Sequence, residues 1–340
     1  IAMGALGSDA AIEAADVVLD IQDLWVEYKT DTGIVQALNG LELQVKRGET
    51  LGLVGETGAG KTTAGLSILG LVPDPPGRIV RGSITLNGEP LLKKSDKEMD
   101  KIRGRNVAMI FQDPMTALNP VKRVEVQIAE GIRLHKKLSA REALDEARKM
   151  LETVGIPAER GSEYPHQFSG GMKQRVVIAI ALACNPGFLI ADEPTTALDV
   201  TIQAQILDMM KKLRDERGSS MLMITHDLGI VVEICDKVSV VYAGRVVEHG
   251  DLEDIYEHTK HPYTVGLFQS LPNLNDRKAK LQPIRGLMPD PTNLPLGCAF
   301  CPRCGVAKEI CRTEKPPRVY LNGEHYVECH LYAEEGREAT

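Results

Sequence analysis

Short apolar segments recur along the chain and are separated by polar stretches. Five of them are four or five residues long and mostly hydrophobic. Such continuous segments are typical of strands buried on both faces of a largely parallel sheet. They cover residues 50–54, 107–111, 188–191, 221–224 and 238–242.

Two other patterns surround these segments. Residues 17–46 alternate between apolar and polar, with Gly33 as punctuation, which predicts two or three antiparallel strands at the entrance to the core. Between residues 114 and 182 the spacing becomes helical, most clearly where Ser139 and Glu142 match a capping box. We therefore predict an α/β fold with a mostly parallel sheet core, an antiparallel β subdomain and an inserted helical subdomain.

The spacing of turn residues predicts the organisation of the remainder. A helix is expected over residues 200–217, ended by Gly218. After about residue 261 proline becomes frequent and leads into a cysteine-rich segment, which predicts a small separate module. The expected units are a flexible N-terminal tail, 1–16, a main domain, 17–260, whose helical subdomain covers about 114–182, and a C-terminal extension, 261–340.

Composition narrows the classes of function. The chain has 340 residues, 43% of them hydrophobic, which is enough for a substantial core. The formal charge is −7 and the basic clusters are interleaved with carboxylates or scattered, which argues against a nucleic-acid-binding face. No apolar segment reaches the roughly 18–20 residues that cross a bilayer. Residues 1–16 lack the basic start of a secretory signal, so we expect a chain that is soluble by itself.

The segment GETGAGKT, residues 55–62, directly follows the first apolar segment. Backbone N–H groups of such a glycine-rich turn surround phosphate oxygens, Lys61 supplies a positive charge, and Thr62 can ligate magnesium. A dinucleotide site is disfavoured, because Thr63 stands where a third small residue would have to follow Gly58 and Gly60. The segment predicts binding of a nucleoside triphosphate.

A second motif, FLIADEP, is an apolar strand that ends in two acids. A carboxylate at this position beside the phosphate loop can hold magnesium through its water shell, which suits Asp192. Glu193 is then placed to polarise the attacking water. The alternative interpretation, an acid pair that caps a helix, becomes weak once the phosphate loop is considered with it.

The segment FSGGMKQR, residues 168–175, places a serine and two glycines at the start of a predicted helix. The order of phosphate loop, FSGGMKQR and acid pair resembles the ATP-binding-cassette (ABC) ATPases. The resemblance implies a P-loop NTPase fold of the ABC type, in which two cassettes pair head to tail around each ATP. Phe168 and Met172 depart from the commonest form of this signature, which puts only the finer contacts in doubt.

The same resemblance implies a role for each motif residue. It makes Glu193 the catalytic base, places His226 at the γ-phosphate, and gives Gln112 the sensing of magnesium and of the transport partner. It assigns Mg²⁺ to Thr62, Gln112 and Asp192. It assigns ATP to Tyr28, Gly55, Glu56, Thr57, Gly58, Ala59, Gly60, Lys61, Thr62, Thr63, Gln112, Ser169, Gly170, Gly171 and Asp192.

The resemblance also implies partners. These are a second ABC ATPase subunit, expected to be a related chain in a heterodimer, two transmembrane permease subunits and an extracytoplasmic substrate-binding protein, with no nucleic acid. The chain would then lie at the cytoplasmic face of the cell membrane, held there through the permease subunits. The alternative is a soluble ABC ATPase of the DNA-repair or translation type with a structural zinc tail.

Five of the seven cysteines fall within 32 residues near the C-terminus, separated by two, two, six and seventeen residues. Without a secretory signal, thiolates at this density favour a metal site over disulfides. Their spacing suits tetrahedral zinc or an iron–sulfur cluster and does not decide between them. Cys184 and Cys235 stand alone in apolar segments and are expected to be buried thiols.

The tail LPLGCAFCPRCGVAKEIC…ECH, preceded by HPYT at residues 261–264, is similar to the ATPases of dipeptide and oligopeptide permeases. Some of these hold a [4Fe–4S] cluster, and zinc is the alternative. The resemblance implies Cys298, Cys304, Cys311 and Cys329 as ligands. Cys301 is an additional thiol, possible as a replacement ligand, and is a departure from the family pattern.

Overall fold

The computed structural model describes residues 16–196, 198–270 and 283–333. Apart from Asp16, the predicted N-terminal tail lies outside these ranges. The strands are β1 (Val17–Thr30), β2 (Gly33–Lys46), β3 (Thr50–Val54), β4 (Gly77–Leu86), β5 (Glu89–Pro90), β6 (Val107–Ile110), β7 (Phe188–Asp192), β8 (Ser220–Thr225), β9 (Lys237–Tyr242), β10 (Arg245–Asp251), β11 (Arg318–Asn322) and β12 (His325–Glu328).

The helices alternate with the later strands. They are α1 (Lys61–Ile68), α2 (Asp96–Ile102), α3 (Pro114–Ala117), α4 (Val124–Lys136), α5 (Ala140–Thr153), α6 (Gly170–Leu182), α7 (Val200–Arg217), α8 (Leu228–Ile234), α9 (Leu252–Tyr256), α10 (Pro262–Gln269) and α11 (Ile310–Thr313). None of the described helices is long and apolar enough to span a membrane.

A mixed sheet forms the centre of the protein, with strand order β11-β12-β10-β9-β3-β8-β7-β6. The strands from β9 to β6 are parallel, and β10, β12 and β11 continue the sheet in antiparallel pairing. Every residue of β3, β6, β7 and β8 is buried, which agrees with the continuous apolar segments in their sequences. The prediction of a mostly parallel core is therefore confirmed.

A second sheet is antiparallel, with order β2-β1-β4-β5. Two long strands, β1 and β2, account for the whole of the alternating segment 17–46. Their apolar side chains form one core cluster with one face of the central sheet, and helices such as α4, α6 and α7 cover the other face in a second cluster. The central sheet is thus covered on both sides, as its pattern requires.

Local signals set the ends of two predicted helices. Helix α5 begins after Ser139, whose hydroxyl accepts a hydrogen bond from the Glu142 amide at 3.3 Å. The Glu142 carboxylate in turn accepts from the Ser139 amide at 2.8 Å, which completes the capping box. Helix α7 ends at Gly218, whose φ of 61° is a left-handed conformation that glycine adopts at little cost.

The C-terminal segment returns to the central sheet. Strand β12 pairs with β10, so that Val327 lies opposite Glu248 and Tyr326 opposite His249. Strands β11 and β12 form a hairpin. The segment before it, 283–317, consists mostly of loops and short turns, including a 3₁₀ turn at Cys301–Arg303. Phe300 from this segment is buried in the main core cluster, which joins the cysteine-rich region to the sheet.

Candidate functional site: a nucleotide half-site

The phosphate loop lies between β3 and α1, as its sequence predicts. Gly58 and Gly60 have φ values of 86° and 100°, which side chains other than glycine rarely adopt. A Cβ atom on Gly60 would lie 2.5 Å from the Ala37 carbonyl oxygen, and one on Gly55 would lie 2.2 Å from that of Val241. The glycines are therefore required by the turn itself.

Lys61 begins helix α1 and is 6% exposed. Its Nζ donates hydrogen bonds to the carbonyl oxygens of Gly55 at 2.6 Å and Glu56 at 3.0 Å. Burial lowers the pKa of Lys61, and the charges of Glu193 and Asp192 partly oppose that change. The ammonium group thus lies among the carbonyls of its own loop, where an anionic ligand would compete for it.

Asp192 ends β7 and is 2% exposed. Its carboxylate accepts a hydrogen bond from the Thr62 side chain, and burial raises its pKa. The other oxygen, Oδ1, has no hydrogen-bond partner among the described residues. An unpartnered carboxylate oxygen beside a threonine hydroxyl fits the oxygen ligands that Mg²⁺ prefers.

Glu193 is the centre of a polar cluster. Its φ of 45° is uncommon for a side chain other than glycine, and its amide donates to the Ile224 carbonyl at 2.8 Å. Oε1 is 2.8 Å from His226 Nδ1, while Oε2 accepts from Gln112 Nε2 at 2.8 Å and Thr196 Oγ1 at 3.0 Å. Three strand ends, those of β6, β7 and β8, therefore bring these side chains together.

Ionisation of Glu193 follows from these contacts. Burial disfavours the charged form, but hydrogen bonds from His226 and Thr196 outweigh it and lower the pKa of Glu193 below its ordinary value. The carboxylate is consequently charged at neutral pH, as a base that accepts a proton from water must be.

The signature residues line a separate cavity of about 350 Å³. Ser169 caps helix α6 and accepts a hydrogen bond from the Met172 amide at 3.4 Å. Leu198, Asp199 and Ile202 complete the wall of the cavity, to which the phosphate loop contributes no residue. Neighbouring Ala197 lies outside the described residues. Ser169, Gly170 and Gly171 therefore do not join the loop of the same chain.

Tyr28 lies on β1, opposite Val35 on β2 and Gly77 on β4. Its half-buried ring covers Gly77, because a Cβ on that glycine would lie 2.7 Å from Tyr28 Cε1. Trp25, by contrast, is already in contact with two cations, since its ring lies 4.6 Å from the Arg81 guanidinium and 5.2 Å from Lys315 Nζ.

The remaining loop residues differ in accessibility. Ala59 is fully buried, and Thr57 and Thr62 are exposed. Thr63 is half-buried, and its carbonyl oxygen accepts from Ser67 Oγ at 2.7 Å.

All five clustered cysteines are free thiols. Among the described residues, no group of three or more His, Cys, Asp or Glu side chains converges enough to hold a single metal ion. Burial, with smaller contributions from Cys311 and Cys329, raises the pKa of the Cys298 thiol to about 11. Burial also raises the pKa of Cys329, with contributions from Cys304 and Cys311. These four thiols therefore lie near one another, but not in contact around one point.

Backbone amides point at three of these sulfurs. Each of these sulfurs accepts a hydrogen bond from the backbone N–H two residues further along the chain: Cys298 from Phe300, Cys304 from Val306, and Cys329 from Leu331. Donors aimed at a sulfur favour its thiolate form, which is the form that binds metal.

Sequence reasoning missed three side chains that contact the site. Thr196 hydrogen-bonds Glu193 from three residues further on, a spacing that the sequence displays. Tyr263 lies within HPYT, and nothing in that motif indicates a contact with the phosphate loop. Its hydroxyl accepts a hydrogen bond from the Glu56 amide at 2.9 Å. Arg303 lies among the cysteines and binds the Glu56 carboxylate at 2.6 and 3.0 Å. No local pattern marks Arg303, since 247 residues separate the pair.

Comparison with known proteins agrees with this geometry. Residues 38–196 match the family described as ABC transporter, and residues 247–311 match the oligopeptide/dipeptide transporter C-terminal region. The chain is 48% identical over 317 residues to the oligopeptide transport ATP-binding protein OppD of Bacillus subtilis, which covers 92% of this chain and 88% of that protein. This chain belongs to the ATP-binding subunits of the oligopeptide/dipeptide ABC transporters.

Other relatives of this ABC subunit support the same assignment. OppD of Salmonella typhimurium is 46% identical over 315 residues, covering 92% of this chain and 93% of its own. Among solved structures, a dimeric ATP-binding cassette in a post-hydrolysis state with ADP and Pi is similar, with a TM-score of 0.63 and 27% identity. That likeness covers 69% of this chain and 98% of the other, so the ABC ATPase fold is confirmed.

Proposed function

We propose that this ABC ATPase hydrolyses ATP to power the import of di- or oligopeptides. The observation that carries the proposal is sequence identity of 46–48%, over more than nine-tenths of the chain, to ATP-binding proteins named for oligopeptide and dipeptide transport. The site agrees with it, because a phosphate loop, an acid pair and a signature segment are all present. The permease subunits and an extracytoplasmic binding protein are its partners, and it works at the cytoplasmic face of the membrane.

Each chain owns half of a nucleotide site. The phosphate loop and Asp192 form one surface and the signature cavity forms another, with no shared residue. Pairing head to tail brings the loop of one subunit to Ser169, Gly170 and Gly171 of the other, so that ATP closes the pair. The second subunit is a related chain, in keeping with a heterodimeric permease.

Hydrolysis is assigned to the cluster around Glu193. Its carboxylate accepts a proton from the attacking water, His226 orients that carboxylate, and Gln112 connects it to the surface on which the permease docks. Thr62 and Asp192, with Gln112, would hold Mg²⁺, which would supply positive charge to offset that of the phosphates. Tyr28 stacks on adenine, because Trp25 is occupied by Arg81 and Lys315.

The C-terminal extension, 261–340, follows the ATPase domain, 17–260, and carries a metal centre on Cys298, Cys304, Cys311 and Cys329. The similarity of this tail to those of the permease ATPases favours a [4Fe–4S] cluster, and zinc is the alternative. These four match the family pattern, which leaves Cys301 as the additional thiol and as a possible replacement ligand. The centre is assigned a structural or sensing role, because nothing else in the described residues resembles a redox partner.

Reconstitution tests the function directly. The chain would be co-purified with its permease subunits, placed in liposomes, and assayed for phosphate release with the peptide-loaded binding protein. We expect peptide to stimulate hydrolysis and to accumulate inside the liposomes. Hydrolysis at full rate by a single chain that never pairs would contradict the shared site, and transport of another cargo would contradict the peptide assignment.

A further inference from the structure

Glu56, the second residue of the phosphate loop, is fixed at three points. Its amide donates to the Tyr263 hydroxyl at 2.9 Å, and its carbonyl oxygen accepts from Lys61 Nζ at 3.0 Å. Its two carboxylate oxygens accept from the guanidinium of Arg303 at 2.6 and 3.0 Å. Two of the three contacts come from residues that follow β10 in the chain, and not from the loop itself.

Arg303 is itself held firmly. Its side chain is 5% exposed, and its guanidinium lies 5.8 Å from the ring centre of Tyr242 and 5.9 Å from that of Phe300. Nε donates to the Arg285 carbonyl at 3.2 Å, while Nη1 approaches the Tyr242 hydroxyl at 3.4 Å. A planar guanidinium with this many partners has little rotational freedom, so it fixes the position of the carboxylate it binds.

The position of Arg303 in the chain determines which parts of the protein this contact connects. It occupies the turn between Cys301 and Cys304, inside the cysteine-rich segment. The contact therefore connects this segment directly to the loop that receives ATP phosphates. A surface ion pair would contribute little, but this pair is two-pronged and its cation is buried.

We propose that Arg303 is a positioning residue of the ATP site, through which the cysteine-rich segment holds the phosphate loop in its binding conformation. The inference rests on the proposed ATP site. Arg303 acts on Glu56, not on the nucleotide: with the carboxylate released, the loop samples other conformations and only a fraction of molecules is ready to bind.

The prediction separates binding from chemistry. Because Glu193 and its partners are untouched, R303M should raise the KM for ATP about tenfold and change kcat by less than about twofold. R303K, which retains charge but not the two-pronged geometry, should give an intermediate KM. The matched control is R312M in the same segment, since the Arg312 side chain is exposed and pairs with Glu309 at 3.6 Å, away from Glu56.

The experiment uses the assembled transporter with each variant, and measures KM, kcat, thermal unfolding and metal content. It includes E56Q and the double variant E56Q/R303M. If Arg303 works through Glu56, the double variant should match the stronger single variant instead of multiplying the two effects. R312M should retain the KM of the unchanged protein.

Three results would overturn the inference. The first is an unchanged KM in folded R303M. The second is multiplication of the E56Q and R303M effects, which would mean that they act independently. The third is an equal rise in KM for R312M, which would reduce the role to general stability of the segment. Failure of the unchanged transporter to bind ATP at all would contradict the proposed function instead, so the two failures are distinguishable.

Discussion

Glu193 and His226 lie 2.8 Å apart, joined through Oε1 and Nδ1. Glu193 directly follows β7 in a left-handed backbone conformation, and His226 follows the neighbouring parallel strand, β8. The histidine side chain is 58% exposed, whereas the glutamate side chain is 12% exposed. The pair thus exposes its histidine to solvent and keeps the charged carboxylate mostly within the protein.

Replacement of Glu193 should stop chemistry without preventing binding. E193Q retains the shape and the contact with Gln112 but cannot accept a proton, so hydrolysis should fall by about 100-fold or more. The measurement is steady-state phosphate release by the assembled transporter, with nucleotide binding measured in parallel. The control is E233Q, which replaces an exposed glutamate on α8 and should be fully active. Equal turnover by E193Q would refute the assignment of the base.

The pH profile should report the contact with His226. Hydrogen bonds from His226 and Thr196 keep the pKa of Glu193 low, so the base stays ionised until the pH falls through that low value. In H226A the pKa should rise, and the acidic limb of kcat should move to higher pH. The exposed His258 provides the control H258A. A limb that stays in place, or moves to lower pH, would show that His226 does not stabilise the carboxylate.

Asp192 should show opposite effects on stability and on binding. Burial raises its pKa above the value in the unfolded chain, so above that pKa its charge costs stability in the nucleotide-free protein. D192N should therefore raise the Tm by about 2 °C without ligand. It should also lose most of the extra stabilisation that Mg·ATP provides. Thermal unfolding with and without Mg·ATP checks both, and full Mg·ATP stabilisation of D192N would contradict the magnesium assignment.

The two signature glycines should respond differently to alanine. A Cβ on Gly170 meets only Leu198 at 4.0 Å, whereas one on Gly171 would lie 2.7 Å from Ile202 Cγ2. G170A should therefore fold normally, yet lower hydrolysis at least tenfold because the methyl group enters the proposed phosphate surface. G171A should lose stability as well. Unfolding curves and phosphate release separate the cases, and a fully active G170A would exclude this surface from the paired site.

The cysteines offer a test of the metal centre. Cys304 accepts a backbone hydrogen bond at its sulfur and lies near Cys311, which suits a ligand. C304S should therefore lose the metal, while C301S should retain it. Iron, sulfide and zinc analysis of the purified proteins provides the measurement. Four irons and four sulfides per chain are expected; a single zinc, or loss of metal in C301S, would contradict the proposed centre.

Much of the fold is predictable because its signals are local. The capping box at Ser139 and Glu142, the left-handed Gly218 and the buried segments that became β3, β7 and β8 each depend on neighbouring residues only. The α/β architecture follows from their order. The ABC assignment also needed the order of three motifs along the chain. Comparison with known proteins agrees with that assignment.

The contacts of the site are less predictable, because they join distant parts of the chain. Gln112 and Glu193 are 81 residues apart, and their hydrogen bond arises only because β6 and β7 are neighbours in the sheet. Glu56 and Arg303 are further apart still, and Arg303 comes from a segment with little regular structure. Such a pair follows from packing of whole segments, for which no short pattern exists.

The pairing of β12 with β10 covers what would otherwise be an exposed edge strand of the central sheet. Without residues 318–328, β10 would expose a row of unpaired amide and carbonyl groups, which is a template for aggregation. Versions of the protein that are shortened before Arg318 should therefore aggregate and be poorly soluble, whether or not their remaining cysteines bind metal. Design of expression plasmids should keep this hairpin.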